Sequence, residues 1–207
     1  MMFEHSETYI NLTMEQSDHI IIQKVLRGNQ QAYEVLVRRY QDYVFTVVLR
    51  ILKKREVAEE VAQDVFIKAY RTLRSFKGNS KFSTWLYTIA YRSAIDEARK
   101  KKYSIDTLDA EKSALQIADA YDQSPIAKTQ QSSLKNVLEE QIQQLKTEDA
   151  AVVTLHYFQE KSVKEVAEIT GLSLSNVKVK LYRSREFLKK RLQHYLGDEL
   201  KDLISDF

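Results

Sequence analysis

The sequence has no cysteine, one proline and four glycines among 207 residues. Without cysteine there is neither a disulfide framework nor a thiolate metal site, and the four histidines are too scattered to form a ligand cluster. All-β domains need frequent glycine and proline turns, so the scarcity of both points to helices joined by short connections. Long hydrophobic runs are missing as well: no apolar stretch approaches the ~20 residues that span a bilayer. The N-terminus also lacks the basic-then-apolar pattern of a signal peptide. These features are compatible with a reducing compartment, and the cytoplasm is the expected location.

An excess of one charge is the next thing lacking. The formal net charge is +3, too small to announce a nucleic-acid partner, so the placement of the charges carries the information. They are segregated. Residues 74–102 hold eight basic side chains against Asp96 and Glu97, net +6, and residues 173–195 hold seven against Glu186, again +6. Between them, residues 104–131 carry five acids and two lysines, net −3. Hydrophobic residues make up 43% of the chain and charged residues 29%, enough to bury a core. The length suits one large domain or two small ones.

Apolar periodicity decides for two. It predicts helices over residues 18–27 and 29–52, the latter through Tyr33, Leu36, Val37, Tyr40, Val44, Val47, Val48 and Ile51. A third helix is predicted over 55–73 and a fourth from Phe82 to about residue 102. Residues 104–131 lose the period and include Pro125, and they read as a flexible linker with at most fragments of helix. A second bundle opens with 134–145, followed by a helix with Thr147 at its cap and Glu148 and Asp149 in its first turn, where carboxylates suit the positive helix end. Ser162-Val163-Lys164-Glu165 is a capping-box pattern, Gly171 suits a left-handed helix end, and Ser173 caps the last helix. The expected fold is all-α: an N-terminal tail (1–17), a helical bundle (18–103), a linker (104–131), a second small helical domain (132–195) and a C-terminal tail (196–207).

Residues 162–191 have the layout of a helix-turn-helix: a short capped helix, a turn at Gly171-Leu172-Ser173, and a longer helix. Val166, Ala167 and Ile169 face inward, closed by Leu172, Val177 and Leu181. Lys178, Lys180, Arg183, Arg185, Lys189 and Lys190 are left for the outer faces. Cations on such a helix release counterions from a duplex, and side chains near its N-terminus reach base edges in the major groove. Asn176, Lys178 and Tyr182 are the expected base-proximal residues. A lone basic helix is more simply a solvated surface, but turn, caps and charge coincide here.

Residues 74–102 interleave aromatics with cations, a mixture that suits single-stranded DNA because bases stack on aromatic faces while cations follow the backbone. The polar loop Lys77-Gly78-Asn79-Ser80 supplies amide and hydroxyl groups beside aromatics, as a pocket for a flipped base requires. Phe82, Trp85, Leu86, Ile89 and Ala90 fall on one helical face and read as core. Tyr87 and Tyr91, four residues apart beside basic positions, are expected to form an outward stack. On the third helix, Glu56, Glu59, Glu60, Gln63 and Asp64 lie opposite the apolar stripe, followed by Lys68 and Arg71. Acids early and bases late complement the helix dipole, so a solvated helix and a partner surface both fit.

Taken together these segments resemble sigma factors of the extracytoplasmic-function group, over about residues 18–192. Glu59-Glu60-Val61-Ala62-Gln63-Asp64-Val65-Phe66-Ile67-Lys68-Ala69 is similar to the sigma region 2 helix that grips the polymerase clamp. Phe76-Lys77-Gly78-Asn79-Ser80-Lys81-Phe82-Ser83-Thr84-Trp85-Leu86-Tyr87-Thr88-Ile89-Ala90, followed by Asp96 and Arg99, is similar to the promoter-melting and −10 segment. Gly171-Leu172-Ser173, Asn176-Val177-Lys178 and Tyr182-Arg183-Ser184-Arg185-Glu186 are similar to the region 4 reader of the −35 element.

The resemblance implies that Glu60, Gln63, Asp64 and Lys68 bind core RNA polymerase. It implies that Phe76, Lys77, Asn79, Ser80 and Lys81 capture an extruded non-template base, with Tyr87, Tyr91, Arg92 and Arg99 along the strand. It implies further that Ser173, Asn176, Lys178, Lys180, Tyr182, Arg183 and Arg185 engage the −35 duplex, and that an anti-sigma factor is a partner. Two departures stand out: Tyr91-Arg92 replaces the family's usual Arg-Asn, and Val177-Lys178-Val179-Lys180 replaces the frequent Val-Lys-Ser-Arg. Such a protein initiates transcription without being an enzyme, inserting in no membrane and needing no cofactor or metal of its own. One rival is a stand-alone helix-turn-helix regulator. A nuclease is the other, disfavoured because the acids lack partners at metal-site spacing and no phosphate-cradling glycine loop is present.

Overall fold

A computed structural model describes residues 17–111 and 134–196, and every regular element among them is helical. Helix α1, Asp18–Leu26, buries Ile21, Ile22 and Val25. Its first residue ties it down: the Asp18 carboxylate pairs with Arg39 and accepts the Tyr40 hydroxyl at 2.6 Å. Residues after Gly28 turn back before Asn29 Oδ1 accepts the amide of Ala32 at 3.2 Å, so α2 spans Ala32–Leu52, three residues shorter at its start than the periodicity predicts. Leu36, Val44, Val47, Val48 and Ile51 form its buried stripe.

Helix α3, Arg55–Thr72, buries the expected Val61, Ala62, Val65, Phe66 and Ala69 and ends in a short 3₁₀ turn, Leu73–Ser75. Helix α4 runs Phe82–Glu111, past the predicted end near residue 102, so the first residues of the expected linker continue the helix. The rest of that segment, residues 112–133, lies outside the described residues, as do both expected tails apart from Ser17 and Leu196.

The second domain begins with α5, Leu134–Gln143, and α6, Thr147–Val153. Lys146, not Thr147, occupies the cap position of α6, while Glu148 and Asp149 sit in the first turn as expected. Helix α6 widens into a π-helical turn, Thr154–Phe158, and α7, Val163–Thr170, and α8, Leu174–Leu196, follow. A small core of Ile142, Leu145, Ala150 and Val153 is closed by Phe187 and Leu188 of α8.

The larger core does not stop at the domain boundary. Ala151, Val152, Leu155, Val166 and Ile169 belong to the same contiguous apolar cluster as Leu36, Val48 and Leu86. Helix α6 packs on α2, and α7 packs on α4. Ala90 and Ala94 are both fully buried on α4, and side chains that small let a second helix come close. The two helical domains are thus docked on one another along a seam, which decides which of the site residues reach solvent.

Candidate nucleic-acid interface

The helix-turn-helix forms as its local sequence dictates. Ser162 and Glu165 close a reciprocal capping box: the Glu165 amide donates to Ser162 Oγ at 3.2 Å and the Ser162 amide to Glu165 Oε2 at 3.0 Å. Helix α7 ends at Gly171, whose φ of +75° is a left-handed conformation that side chains with a Cβ resist. Ser173 then caps α8 by accepting the Asn176 amide at 3.3 Å. Val166, Ile169, Val177 and Leu181 are buried between the two helices, with Ala167 and Leu172 packed against them.

With Val177, Leu181 and Ser184 turned inward, helical geometry puts Ser175, Val179, Tyr182 and Glu186 on the outermost ridge of α8. Lys178 and Arg185 flank that ridge on one side, Asn176 and Arg183 on the other, and all four are exposed, as is Ser173 at the cap. Lys180 is a correction to the expected outer face. Its ammonium folds back onto α6, 2.8 Å from Asp149 Oδ1 and 3.1 Å from Glu148 Oε2. Burial alone lowers its pKa, but the hydrogen bonds to Asp149 and Glu148 outweigh that and hold it above the usual lysine value. Lys180 braces the recognition helix from behind.

The aromatic and basic segment splits in two. Phe76, Phe82 and Trp85 stack mutually at centroid separations of 5.4–5.7 Å, and Tyr40 adds its ring to Phe82 at 5.6 Å. This platform carries the loop, in which Lys77, Asn79 and Lys81 are exposed and Ser80 is half-buried; Arg92 and Arg99 are exposed further along α4. The expected outward stack of Tyr87 and Tyr91 does not form. Tyr87 is 3% exposed and Tyr91 7%, because the face of α4 that carries them is covered by the second domain. Burial raises the pKa of both phenols, Tyr87 further through Tyr43 and Tyr91 through Glu148, with Lys180 and Arg99 opposing the latter.

The seam that covers them is polar as well as apolar. Tyr87 donates to Gln159 Oε1 at 2.9 Å, and Lys161 Nζ reaches Ser83 Oγ at 2.8 Å. Glu165 accepts Thr84 Oγ1 at 3.3 Å and lies 4.0 Å from Lys81. On α2, Arg50 pairs with Glu139 at 3.8 Å and stands over the Phe158 ring, while Lys53 donates to the Leu145 carbonyl at 3.0 Å. None of these partners is visible to a reading of local sequence. Only Arg50, a cation on the apolar stripe of α2, signals that something polar must cover it.

On α3, Glu59, Glu60, Gln63 and Asp64 are exposed together. Beside them a groove of about 430 Å³ runs between α2 and α3, lined by Phe45, Phe66, Ile67 and Gln63 among others. Lys68 is also exposed, but its ammonium donates to Ser93 Oγ of α4 at 3.1 Å, so it braces the bundle while closing the acidic row. Among the described residues no three His, Asp or Glu side chains are gathered as a metal site would need.

Comparison with known proteins finds matches in both parts of the chain. Residues 36–103 match the family model of sigma-70 region 2, and residues 135–188 that of sigma-70 region 4. The extracytoplasmic-function RNA polymerase sigma factor SigW of Bacillus subtilis is 35% identical over 178 residues, which cover 83% of this chain and 95% of that one. The RNA polymerase sigma-H factor of Pseudomonas aeruginosa is 32% identical over 193 residues, covering 90% and 99%. Among solved structures, the sigma factor RpoE bound to the anti-sigma factor NepR, from Bartonella quintana, superposes with a TM-score of 0.63 over 78% of this chain and 96% of that one. CnrH bound to the cytosolic domain of CnrY gives 0.60 over 86% and 99%. Both are 20% identical to this chain, a likeness of fold.

Proposed function

The chain belongs to the sigma-70 family of RNA polymerase sigma factors, in its extracytoplasmic-function group, and from that premise we propose how its surfaces divide the work of opening a promoter. As a sigma factor it binds core RNA polymerase and directs promoter recognition and melting. The acidic row Glu60, Gln63 and Asp64, ending at Lys68, docks on the core enzyme. The outward face of α8, from Ser173 and Asn176 through Lys178, Tyr182, Arg183 and Arg185, enters the major groove of the −35 duplex. The loop Phe76, Lys77, Asn79, Ser80 and Lys81 takes an unpaired base of the −10 non-template strand, with Arg92 and Arg99 along its phosphates.

Tyr87 and Tyr91 join that strand only once α7 has left α4, so the docked arrangement is a closed form and polymerase binding selects the open one. Flipping a base costs a few kcal/mol, and stacking in the loop at roughly 1–3 kcal/mol per base offsets it, so strand capture needs no nucleotide hydrolysis. The polymerase makes the phosphodiester bond; this chain contributes recognition. Residues 18–103 form the polymerase-binding and strand-opening domain, 132–195 the duplex-reading domain, and 104–131 join them. The protein works in the cytoplasm, with the polymerase, and no helix among the described residues is long and apolar enough to cross a membrane. An anti-sigma factor, such as the one bound to the Bartonella relative, is the expected regulator.

The observation that carries this reading is the solvent-open, cationic outer face of α8 set behind the Gly171 turn. A stand-alone helix-turn-helix regulator would use α8 in the same way but would leave the acidic row of α3 and the exposed 77–81 loop without a task. Run-off transcription with purified core polymerase, with and without this protein, across a genomic DNA library tests the choice. New start sites that depend on the protein are expected; none would mean that it is not acting as a sigma factor.

A further inference from the structure

The outermost ridge of α8 is the part of a recognition helix that penetrates deepest into a groove, and in this chain its middle is formed by the apolar Val179 and the aromatic ring of Tyr182. Val179 stands at the centre of the ridge, 44% exposed, and Tyr182 beside it is 60% exposed. Both side chains stand exposed among the described residues, although both are large enough to bury substantial apolar area. Lys180, the cation that would stand next to Val179, is withdrawn to Glu148 and Asp149. Lys178 and Arg183 border the ridge, and Glu186 is the one acid on α8.

An apolar ridge framed by cations is complementary to a surface with phosphates on both sides and methyl groups between them. A major groove is such a surface, and the C5 methyl of thymine is the apolar feature that base edges present there. We infer that Val179 and Tyr182 read thymine methyl groups in the −35 duplex, with Lys178 and Arg183 on the flanking phosphates. The inference rests on the assignment of α8 as the −35 reader and adds the chemistry by which it discriminates. The valine isopropyl and the edge of the tyrosine ring contact methyls of neighbouring base pairs, so the preferred element is marked by thymines rather than by guanines read through a lysine or arginine fork.

The test uses holoenzyme reconstituted from core polymerase and the full chain. Duplexes are selected from a pool randomised in the upstream element, and the selected duplex is remade with deoxyuridine replacing thymidine one position at a time. This removes a methyl and leaves pairing intact. The expected result is a loss of about fourfold in affinity at one or two positions, the equilibrium equivalent of ~0.8 kcal/mol for each methyl desolvated. The loss at one of those positions should vanish in Val179→Ser and at its neighbour in Tyr182→Ser. Both sites are exposed, so neither substitution disturbs the core. Selected duplexes that tolerate deoxyuridine everywhere, or a penalty that persists in both variants, would overturn the inference while leaving α8 as the reader. Variants that bind every duplex undiminished yet fail in transcription would assign the ridge to a protein partner and overturn it too. Holoenzyme that selects no upstream sequence at all would overturn the sigma reading itself, and this inference with it.

Discussion

The hydroxyl of Tyr87 donates to the side-chain oxygen of Gln159 at 2.9 Å, and Lys161 stands 5.3 Å from the centroid of the same ring. The contact joins the helix that should face the melted strand to the loop that leads into the duplex reader. A buried phenol needs a partner for its hydroxyl, and here the partner comes from the other domain. A residue assigned to single-stranded DNA is therefore occupied until the domains part.

Lys161→Glu should force them apart. The substitution removes the bond to Ser83 and the cation from the Tyr87 ring, and it sets a carboxylate near Glu165. The radius of gyration from small-angle scattering should rise, and the free protein should bind a −10 non-template oligonucleotide several-fold more tightly. Unchanged scattering with unchanged binding would show that the polar seam does not hold the closed form.

This seam also marks where the sequence stops being legible. The capping box at Ser162, the left-handed end at Gly171 and the stripe Phe82, Leu86, Ala90 are written in short-range patterns, and they form as those patterns require. Tyr87 and Tyr91 lie one step round α4 from that stripe, and the element that buries them is some 70 residues further along the chain. No periodicity encodes a cover that arrives from so far away. Lys180 is misread for the same reason, because its partners Glu148 and Asp149 are 32 and 31 residues earlier. The overrun of α4 to Glu111 has a different cause: residues 103–111 lack an apolar period, so the sequence offers no stripe from which the helix could be read.

Acid should loosen the seam through Glu165. Burial pushes its carboxyl up, but the amide and hydroxyl of Ser162, together with Lys161 and Lys81, outweigh that and set it below the ordinary carboxylate range. A depressed folded pKa means stability that is complete above the unfolded value, about 4.3, and is lost as the pH falls through the lower folded one. Thermal unfolding followed from neutral pH downward should show this loss. Glu165→Gln, which keeps the geometry of the capping box without its charge, should be less stable at neutral pH and show a shallower acid limb. An acid limb identical to that of the parent would remove Glu165 from the account.

Salt dependence should separate the lysines of α8. Lys178→Ala and Arg183→Ala each remove an exposed cation from the flank of the ridge, so each should lower the slope of log affinity against log salt for promoter duplex by about 1. Lys180→Ala should leave the slope unchanged, since its charge is already neutralised by Glu148 and Asp149. Its effect belongs to folding: breaking a partly exposed pair that braces α8 on α6 should cost up to about 1 kcal/mol, read as a lower Tm. A slope change for Lys180→Ala equal to that of Lys178→Ala would mean that the lysine swings out to the phosphates when DNA binds.

Charge reversal on α3 should separate polymerase docking from folding. Glu60 and Asp64 are one helical turn apart, both exposed, and neither takes part in the buried face formed by Val61, Ala62, Val65 and Phe66. The double substitution Glu60→Lys with Asp64→Lys therefore leaves the core intact. At most it loses a few tenths of a kcal/mol through the helix dipole, because both positions lie beyond the first turn of α3, where that effect fades. Helicity by circular dichroism should be unchanged, whereas co-purification with core polymerase and protein-dependent run-off transcription should both disappear. Because the duplex reader lies on the other domain, any binding of promoter duplex by the free chain should persist in the variant. Retained polymerase binding would place the docking surface elsewhere, and loss of helicity would show that the acidic row supports the helix rather than a partner.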